Sequence, residues 1–410
     1  MEFKNNITAL IIGSATLLIL LISSDPILFS DSTRYLKGSM KDPPLYSSII
    51  FIMKSLFKNL NSIVILQTFF VSFSIYYFTK TLERIFKLDL LTTIITAFFL
   101  FLPFIEFYRN ILTEPLSYGF SLLFVSFALQ LIYNFNYRNT FYFSILVVAL
   151  LLIRNQFIFL YPVLLLFYIG IFFLNRSKQI TVVLLISFFS IFLIHNSLIA
   201  LNKNLNDNKI KRNTILKNDS GFYYYVYIDS IYISDLKDSR LFKKQKLNET
   251  IDKILKEIDK KKASMKYYNG RGHFGSSFSI IRDTSTKFLV DLAIQENTSV
   301  IKIKREITIK LIKKNFSSYL KLIFKKFYDT TWLFIFLPFF IGLASLISFV
   351  KNISRFSFFI LFLSIFTISN HSIVYLFGRV QPRYLIYSDF ILLIFIFITF
   401  TILLQKKITH

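Results

Sequence analysis

The chain has 410 residues, 54% of them hydrophobic, with 51 Phe, no Cys and a formal net charge of +25. Apolar runs of about 18 or more residues, each enough to cross about 30 Å of hydrocarbon, recur along it and predict an all-α polytopic membrane protein. The absence of Cys excludes disulfides and thiolate metal sites. A chain this apolar excludes nucleic acid as a partner, so its cations suit anionic membrane lipids or a phosphorylated substrate.

The first span, Ile7–Ile22, has no small-residue cleavage site after it and is expected to be a retained helix. A polar outer loop at 23–45 carries Asp31 and the rigid pair Pro43-Pro44, which sets the start of the next helix. Leu45–Phe57 is short and flanked by Lys54 and Lys58, as an interfacial helix would be. Spans follow near Ile63–Phe78, Leu90–Ile105, Leu116–Tyr133, Phe141–Ile153, Phe157–Leu174, Ile180–Leu201, Trp332–Val350, Phe356–Val374 and Leu385–Leu404, giving about ten in all.

Lysine and arginine asymmetry orients them. Lys80, Arg84, Lys87, Arg138, Arg176, Lys178, Lys351, Arg355, Lys406 and Lys407 fall in turns on one side, which predicts a multi-pass plasma-membrane protein with both termini cytoplasmic. The Asp31 loop, the Glu106–Glu114 turn, Arg154 and Arg379–Arg383 then share the outer side. Three regions are expected: an N-terminal transmembrane module at 1–201, a small extracytoplasmic insert at 202–330, and C-terminal transmembrane helices at 331–410. Within the insert, residues 203–326 hold 28 Lys and Arg against 13 Asp and Glu. The aromatic run from Phe222 to Tyr227 reads as irregular, Lys243–Lys262 as a charged helix, and Arg305–Tyr328 as one basic amphipathic helix lying along the membrane.

Asp31 and Glu114 are the candidate catalytic residues. An acid at a membrane surface is costly unless something uses it. Thr113-Glu114-Pro115 is also a helix start, with Thr113 placed to cap and Glu114 favoured by the helix dipole. Two acids on one face can deprotonate an acceptor hydroxyl or share a divalent cation, Mg or Mn. Arg109, Arg154, Arg379 and Arg383 on that face suit bidentate phosphate binding. His273, in the Gly-rich run from Asn269 to Gly275, is a candidate substrate contact, while the lack of a preceding strand excludes a dinucleotide or phosphate loop there.

Five places together resemble the GT-C superfamily of membrane glycosyltransferases, in particular bacterial members similar to protein O-mannosyltransferases and the aminoarabinose transferase of lipid A. They are Asp31-Ser32-Thr33-Arg34-Tyr35, Pro43-Pro44-Leu45-Tyr46, Leu112-Thr113-Glu114-Pro115-Leu116, Arg305–Trp332 and Arg383-Tyr384-Leu385. The resemblance implies a GT-C fold and a polyprenyl-phosphate sugar donor used on the outer face, with a glycan, lipid or protein acceptor. It implies that Asp31 is a base or metal ligand, that Glu114 matches the second acidic position, and that Tyr35, Arg383 and Tyr384 face donor or acceptor. Relatives carry a second acid directly after the first-loop Asp, where this chain has Ser32. Two other readings fit a many-span chain: a polymerase or ligase of polyprenyl-diphosphate-linked glycans using Arg or His of the large loop, and a transporter without chemistry. Transporters place charges near mid-membrane, whereas here the charges gather at one face.

Overall fold

The computed structural model describes residues 2–22, 25–29, 31–37, 42–207, 222–268, 273–331, 336–377 and 384–408. Among them the chain is all-helical, with no strand. The helices are α1 (Glu2–Ile22), α2 (Ser32–Leu36), α3 (Pro44–Phe57), α4 (Asn61–Phe86), α5 (Leu90–Phe107), α6 (Glu114–Tyr133), α7 (Tyr137–Ile153), α8 (Leu160–Asn175) and α9 (Lys178–Asp207). Then come α10 (Phe222–Tyr232), α11 (Gln245–Lys260), α12 (His273–Gln295), α13 (Val300–Lys314), α14 (Phe316–Thr331), α15 (Phe336–Asn352), α16 (Arg355–Phe377) and α17 (Ile386–Ile408).

Six segments among the described residues are long and apolar enough to cross a membrane: Asn61–Phe86, Leu90–Phe107, Glu114–Tyr133, Asn155–Asn175, Lys178–Asn202 and Arg355–Leu376. They make the chain a multi-pass membrane protein. Four more of the expected spans, near Ile7–Ile22, Phe141–Ile153, Trp332–Val350 and Leu385–Leu404, coincide with shorter apolar helices. Pro44–Phe57, expected at the interface, is also short.

The chain divides into two compact units: residues 1–205, 336–370 and 383–410, and residues 206–335 with 371–382. In the first unit α6 is central, packing against α4, α5, α7, α8 and α17. Its span is 83% buried, against 22% for the span of α9, which leaves most of its apolar surface exposed. Lipid tails are as apolar as leucine, so helices here associate through close packing of small residues. Ser117, Gly119, Ser121 and Ala128 supply that surface on α6. A Cβ on Gly119 would lie 2.7 Å from Phe70 Cε1 of α4, and one on Gly170 of α8 would overlap the Phe358 ring of α16. Helix ends follow local chemistry. Asp89 and Asn136 cap α5 and α7 by accepting the Thr92 and Asn139 amides. Lys58, Lys87 and Arg176 close α3, α4 and α8 in left-handed conformation, placing cations at negative dipole ends.

The second unit has its own apolar core, built from α10 to α14. The run from Phe222 is helical, contrary to the irregular expectation, because Tyr227, Ile228, Ile231 and Tyr232 share one face that the core buries. The charged helix expected at Lys243–Lys262 is α11. The single helix expected over Arg305–Tyr328 is two, parted at Asn315, whose side-chain amide donates to Asp238 at 2.7 Å. The α13 half turns Ile303, Ile307 and Leu311 into the unit's core, while α14 leaves Phe316, Leu320 and Phe324 exposed.

One ion pair lies inside this core. Lys326 Nζ reaches both carboxylate oxygens of Asp229 at 2.7 Å, and the two residues are 3% and 1% exposed. Burial pushes the Asp229 carboxyl up to about 6 against the pull of Lys326, and burial lowers the Lys326 ammonium. Removing one partner strands the other charge, whereas removing both does not. Asp229→Asn is therefore expected to destabilise this unit by about 3–5 kcal/mol, and Asp229→Leu with Lys326→Met to recover most of that loss. Limited proteolysis of the full-length protein across a urea series measures both. A double variant no more stable than the single one would show that the pair is not what holds α14 to α10.

Candidate functional site

The site gathers at the N-terminal end of α6. Ile27 and Asn110 form an isolated parallel bridge, with Ile27 N–H donating to Arg109 O at 3.0 Å and Ile111 N–H to Ile27 O at 3.1 Å. This ties the loop after α1 to the turn before α6. Gln67 of α4 anchors the same turn: its amide donates to Tyr108 O at 2.8 Å and Asn110 O at 3.2 Å, while its oxygen accepts from Tyr46 OH at 3.2 Å. Pro43 and Pro44 start α3 as expected. They set Tyr46 fully inside, edge-on to Tyr35 of α2 with ring centroids 5.1 Å apart.

Glu114 opens α6 and is 2% exposed. Its partner is Arg154, with Nη1 to Oε1 at 3.3 Å. Arg154 stands in extended backbone between α7 and a short 3-10 helix, and its guanidinium lies over the Tyr384 ring, 4.1 Å from the centroid. Thr113 does not cap α6 with its side chain, contrary to expectation. Its hydroxyl lies instead 3.4 Å from Glu114 Oε2 and accepts from Arg154 Nη1 at 3.4 Å. Below Arg154, Gln156 donates to Tyr384 O at 2.9 Å and to Asn370 Oδ1, and accepts from Tyr387 OH at 3.0 Å. Asn370 in turn donates to Tyr384 O at 3.1 Å and Ser388 Oγ at 2.9 Å. This buried amide network joins α16 and α17 to the arginine's loop and holds the aromatic ring beneath it.

Tyr35 is 8% exposed, and burial pushes its phenol up to about 12; Arg154 pulls it down while Asp42 and Glu114 push it up. The phenol is thus neutral at ordinary pH and shares one electrostatic environment with the Glu114–Arg154 pair. Asp31 precedes α2 and is half-exposed, with Arg34 3.7 Å away. Arg34 also faces Asp42, at 3.5 Å. Arg109 is half-buried and set by its backbone bonds to Ile27, with its guanidinium 5.9 Å from the Tyr108 centroid.

Of the residues expected from the sequence, the structure brings together Tyr35, Glu114, Arg154 and Tyr384. Arg379 and Arg383 lie outside the described residues. His273 belongs to the second unit, where both its ring nitrogens are engaged: Nδ1 with Tyr232 OH at 2.8 Å, and Nε2 with Lys262 O at 3.2 Å. Sequence reasoning missed Gln67, Gln156 and Asn370; a lone amide inside or beside an apolar run was the available signal.

Glu114 faces a guanidinium and a hydroxyl, Asp31 faces Arg34, and no three or more acidic or imidazole groups converge among the described residues. No protein-family model matches the chain, and no curated protein matches it.

If Glu114 and Arg154 act as a unit, a double-mutant cycle of Glu114→Gln and Arg154→Met is expected to give a coupling energy of about 1–3 kcal/mol in the stability of the full chain. Thermal unfolding in detergent measures it. Additive losses would show that the two side chains stand side by side without acting on one another.

Proposed function

We propose that the protein transfers a sugar from a polyprenyl-phosphate donor to a hydroxyl acceptor at the membrane face bearing Glu114. The observation that carries this reading is the buried Glu114–Arg154 pair, with Tyr35 within its electrostatic reach and the Tyr384 ring against the guanidinium. A lipid phosphate is already a competent leaving group, so the protein needs a base for the acceptor and a cation for the departing phosphate. Both kinds of group lie near α2 and the start of α6. The location at helix ends, away from mid-membrane, favours an interfacial enzyme over a transporter.

In the proposed reaction the acceptor oxygen bonds to the anomeric carbon as the bond from that carbon to the phosphate oxygen breaks. The electron pair leaves with the phosphate, and the acceptor proton passes to Asp31. Arg154, held over Tyr384, presents its fork to the developing phosphate charge. An arriving phosphate competes with Glu114 for that guanidinium. Glu114 thereby holds Arg154 in place before the donor binds and yields it afterwards. Tyr35, neutral below about 12, offers a hydroxyl donor and not a base.

Asp31→Asn is expected to lower transfer by about 10²–10⁴-fold at unchanged protein level. The assay uses membranes given a panel of polyprenyl-phosphate hexoses and pentoses. Full activity of that variant would sink the assigned mechanism, and no transfer by the wild type from any donor would sink the reaction itself. Tyr35→Phe is expected to leave the alkaline limb of the pH–rate profile unmoved below pH 10. Loss of a limb there would mean that Tyr35 titrates in the working range.

A further inference from the structure

The opposite end of α6 carries a second site, unrelated to the carboxylates. A helix of 20 residues is about 30 Å long, so its C-terminal end lies a membrane thickness from Glu114. There the ends of α4 and α6 and the start of α7 enclose a cleft of about 350 Å³, within the size range of ligand pockets. Arg84 and Arg138 line it, with Gln130, Asn139, Tyr77 and Tyr133, and no carboxylate is in its wall. Neither guanidinium has a carboxylate within ion-pairing distance among the described residues. The nearby acid, Glu83, is taken by Lys80 at 2.6 Å. The start of α7 adds the positive end of a helix dipole. Gln130 donates to Tyr77 OH at 3.1 Å and to Thr81 Oγ1 at 3.2 Å, which fixes the wall beside the two guanidiniums.

A second observation says what kind of anion fits. An apolar groove of about 510 Å³ runs between α15, α16 and α17, lined by Phe356, Leu392, Phe395 and their neighbours. The Phe86 ring separates the two spaces. It meets Tyr133 of the cleft at 5.9 Å on one side, and Phe356 and Phe395 of the groove at 6.0 and 6.2 Å on the other. Arg355 Nη1 donates to Tyr133 O at 2.7 Å and ties α16 to the cleft wall. A cationic cleft at helix ends that adjoins an apolar groove across one aromatic ring matches a phosphate headgroup joined to a hydrocarbon chain. A free phosphate would use the cleft and leave the groove idle.

We propose that the cleft bearing Arg84 and Arg138 is a binding site for an anionic phospholipid, with its phosphate between the two guanidiniums and an acyl chain in the groove beyond Phe86. The occupant belongs to the leaflet opposite Glu114. The site adds to the proposed transfer reaction and does not depend on it.

Native mass spectrometry of the full-length protein in detergent, titrated with phosphatidylglycerol or phosphatidylcholine of matched chains, tests this. The wild type is expected to retain phosphatidylglycerol at about ten-fold lower concentration, because two basic groups act on one headgroup charge. Arg84→Gln with Arg138→Gln is expected to abolish that preference, and Arg84→Lys with Arg138→Lys to keep much of it. Lys54→Gln with Lys58→Gln, which removes equal charge elsewhere, is expected to leave it intact. Ala344→Trp, which fills the groove, is expected to weaken both lipids. Equal retention of the two lipids by the wild type would overturn the proposal whatever the variants do. So would an equal loss of preference in the Lys54/Lys58 variant, which would reveal a bulk charge effect. Displacement of phosphatidylglycerol by millimolar glycerol phosphate, with Ala344→Trp silent, would make the cleft a small-anion site and overturn the lipid assignment.

Discussion

Everything at the Glu114 end of the first unit depends on burying one carboxylate beside one guanidinium. Glu114 begins α6, the helix that the rest of the unit packs around, and it is 2% exposed. A lone ionised carboxylate there would be prohibitive, so Arg154 must arrive from the end of α7, forty residues along the chain. Arg154 in turn needs its cationic face covered, and Tyr384 covers it. Tyr384 is then fixed by its own carbonyl, which accepts from Gln156 and Asn370. Each element is placed by the need of the previous one, from α6 through α7 to α16 and α17.

The same logic explains why a polar network persists inside an apolar bundle. Gln156, Asn370, Tyr387 and Ser388 satisfy one another with few donors left over. Half of that set would be worse than none, since an unpaired amide in hydrocarbon is expensive. At the turn between α5 and α6 Gln67 does the equivalent work with backbone carbonyls, which lets a turn that has no helix or strand of its own hold a definite shape.

The sequence was most informative where a property is local. Apolar length marks the spans, and Pro43-Pro44 marks the start of α3. Asp31, Tyr35, Glu114 and Arg154 stand out as charged or polar groups beside apolar runs. Contacts between distant segments were not legible: periodicity says which face of a helix is apolar, not what meets it. The pairing of Glu114 with Arg154, the anchoring by Gln67 and the Gln156 network are all of that kind. The break at Asn315 escaped for a related reason. Isoleucine, leucine and phenylalanine continue at helical spacing across it, and its cause is a hydrogen bond to Asp238, 77 residues back. Thr113 misled because a cap pattern is a statement about local hydrogen bonds, and the nearby guanidinium offered its hydroxyl another partner.

The two ends of α6 differ in how charge is treated, and that difference is what distinguishes the proposed reactive site from the proposed docking site. At the Glu114 end, cation and anion are paired inside the protein, which holds Arg154 in a fixed pose at little net charge. Under the proposed reaction a donor phosphate would gain there only by exchanging places with Glu114, so binding and release of a carboxylate would be linked events. At the Arg84 and Arg138 end the cations face an open cleft with no carboxylate in its wall. The proposed lipid phosphate would bind there without displacing a carboxylate from the cleft wall. Linked exchange suits a step in which a pre-positioned cation is handed to an arriving phosphate, whereas unlinked charge suits a lipid that stays.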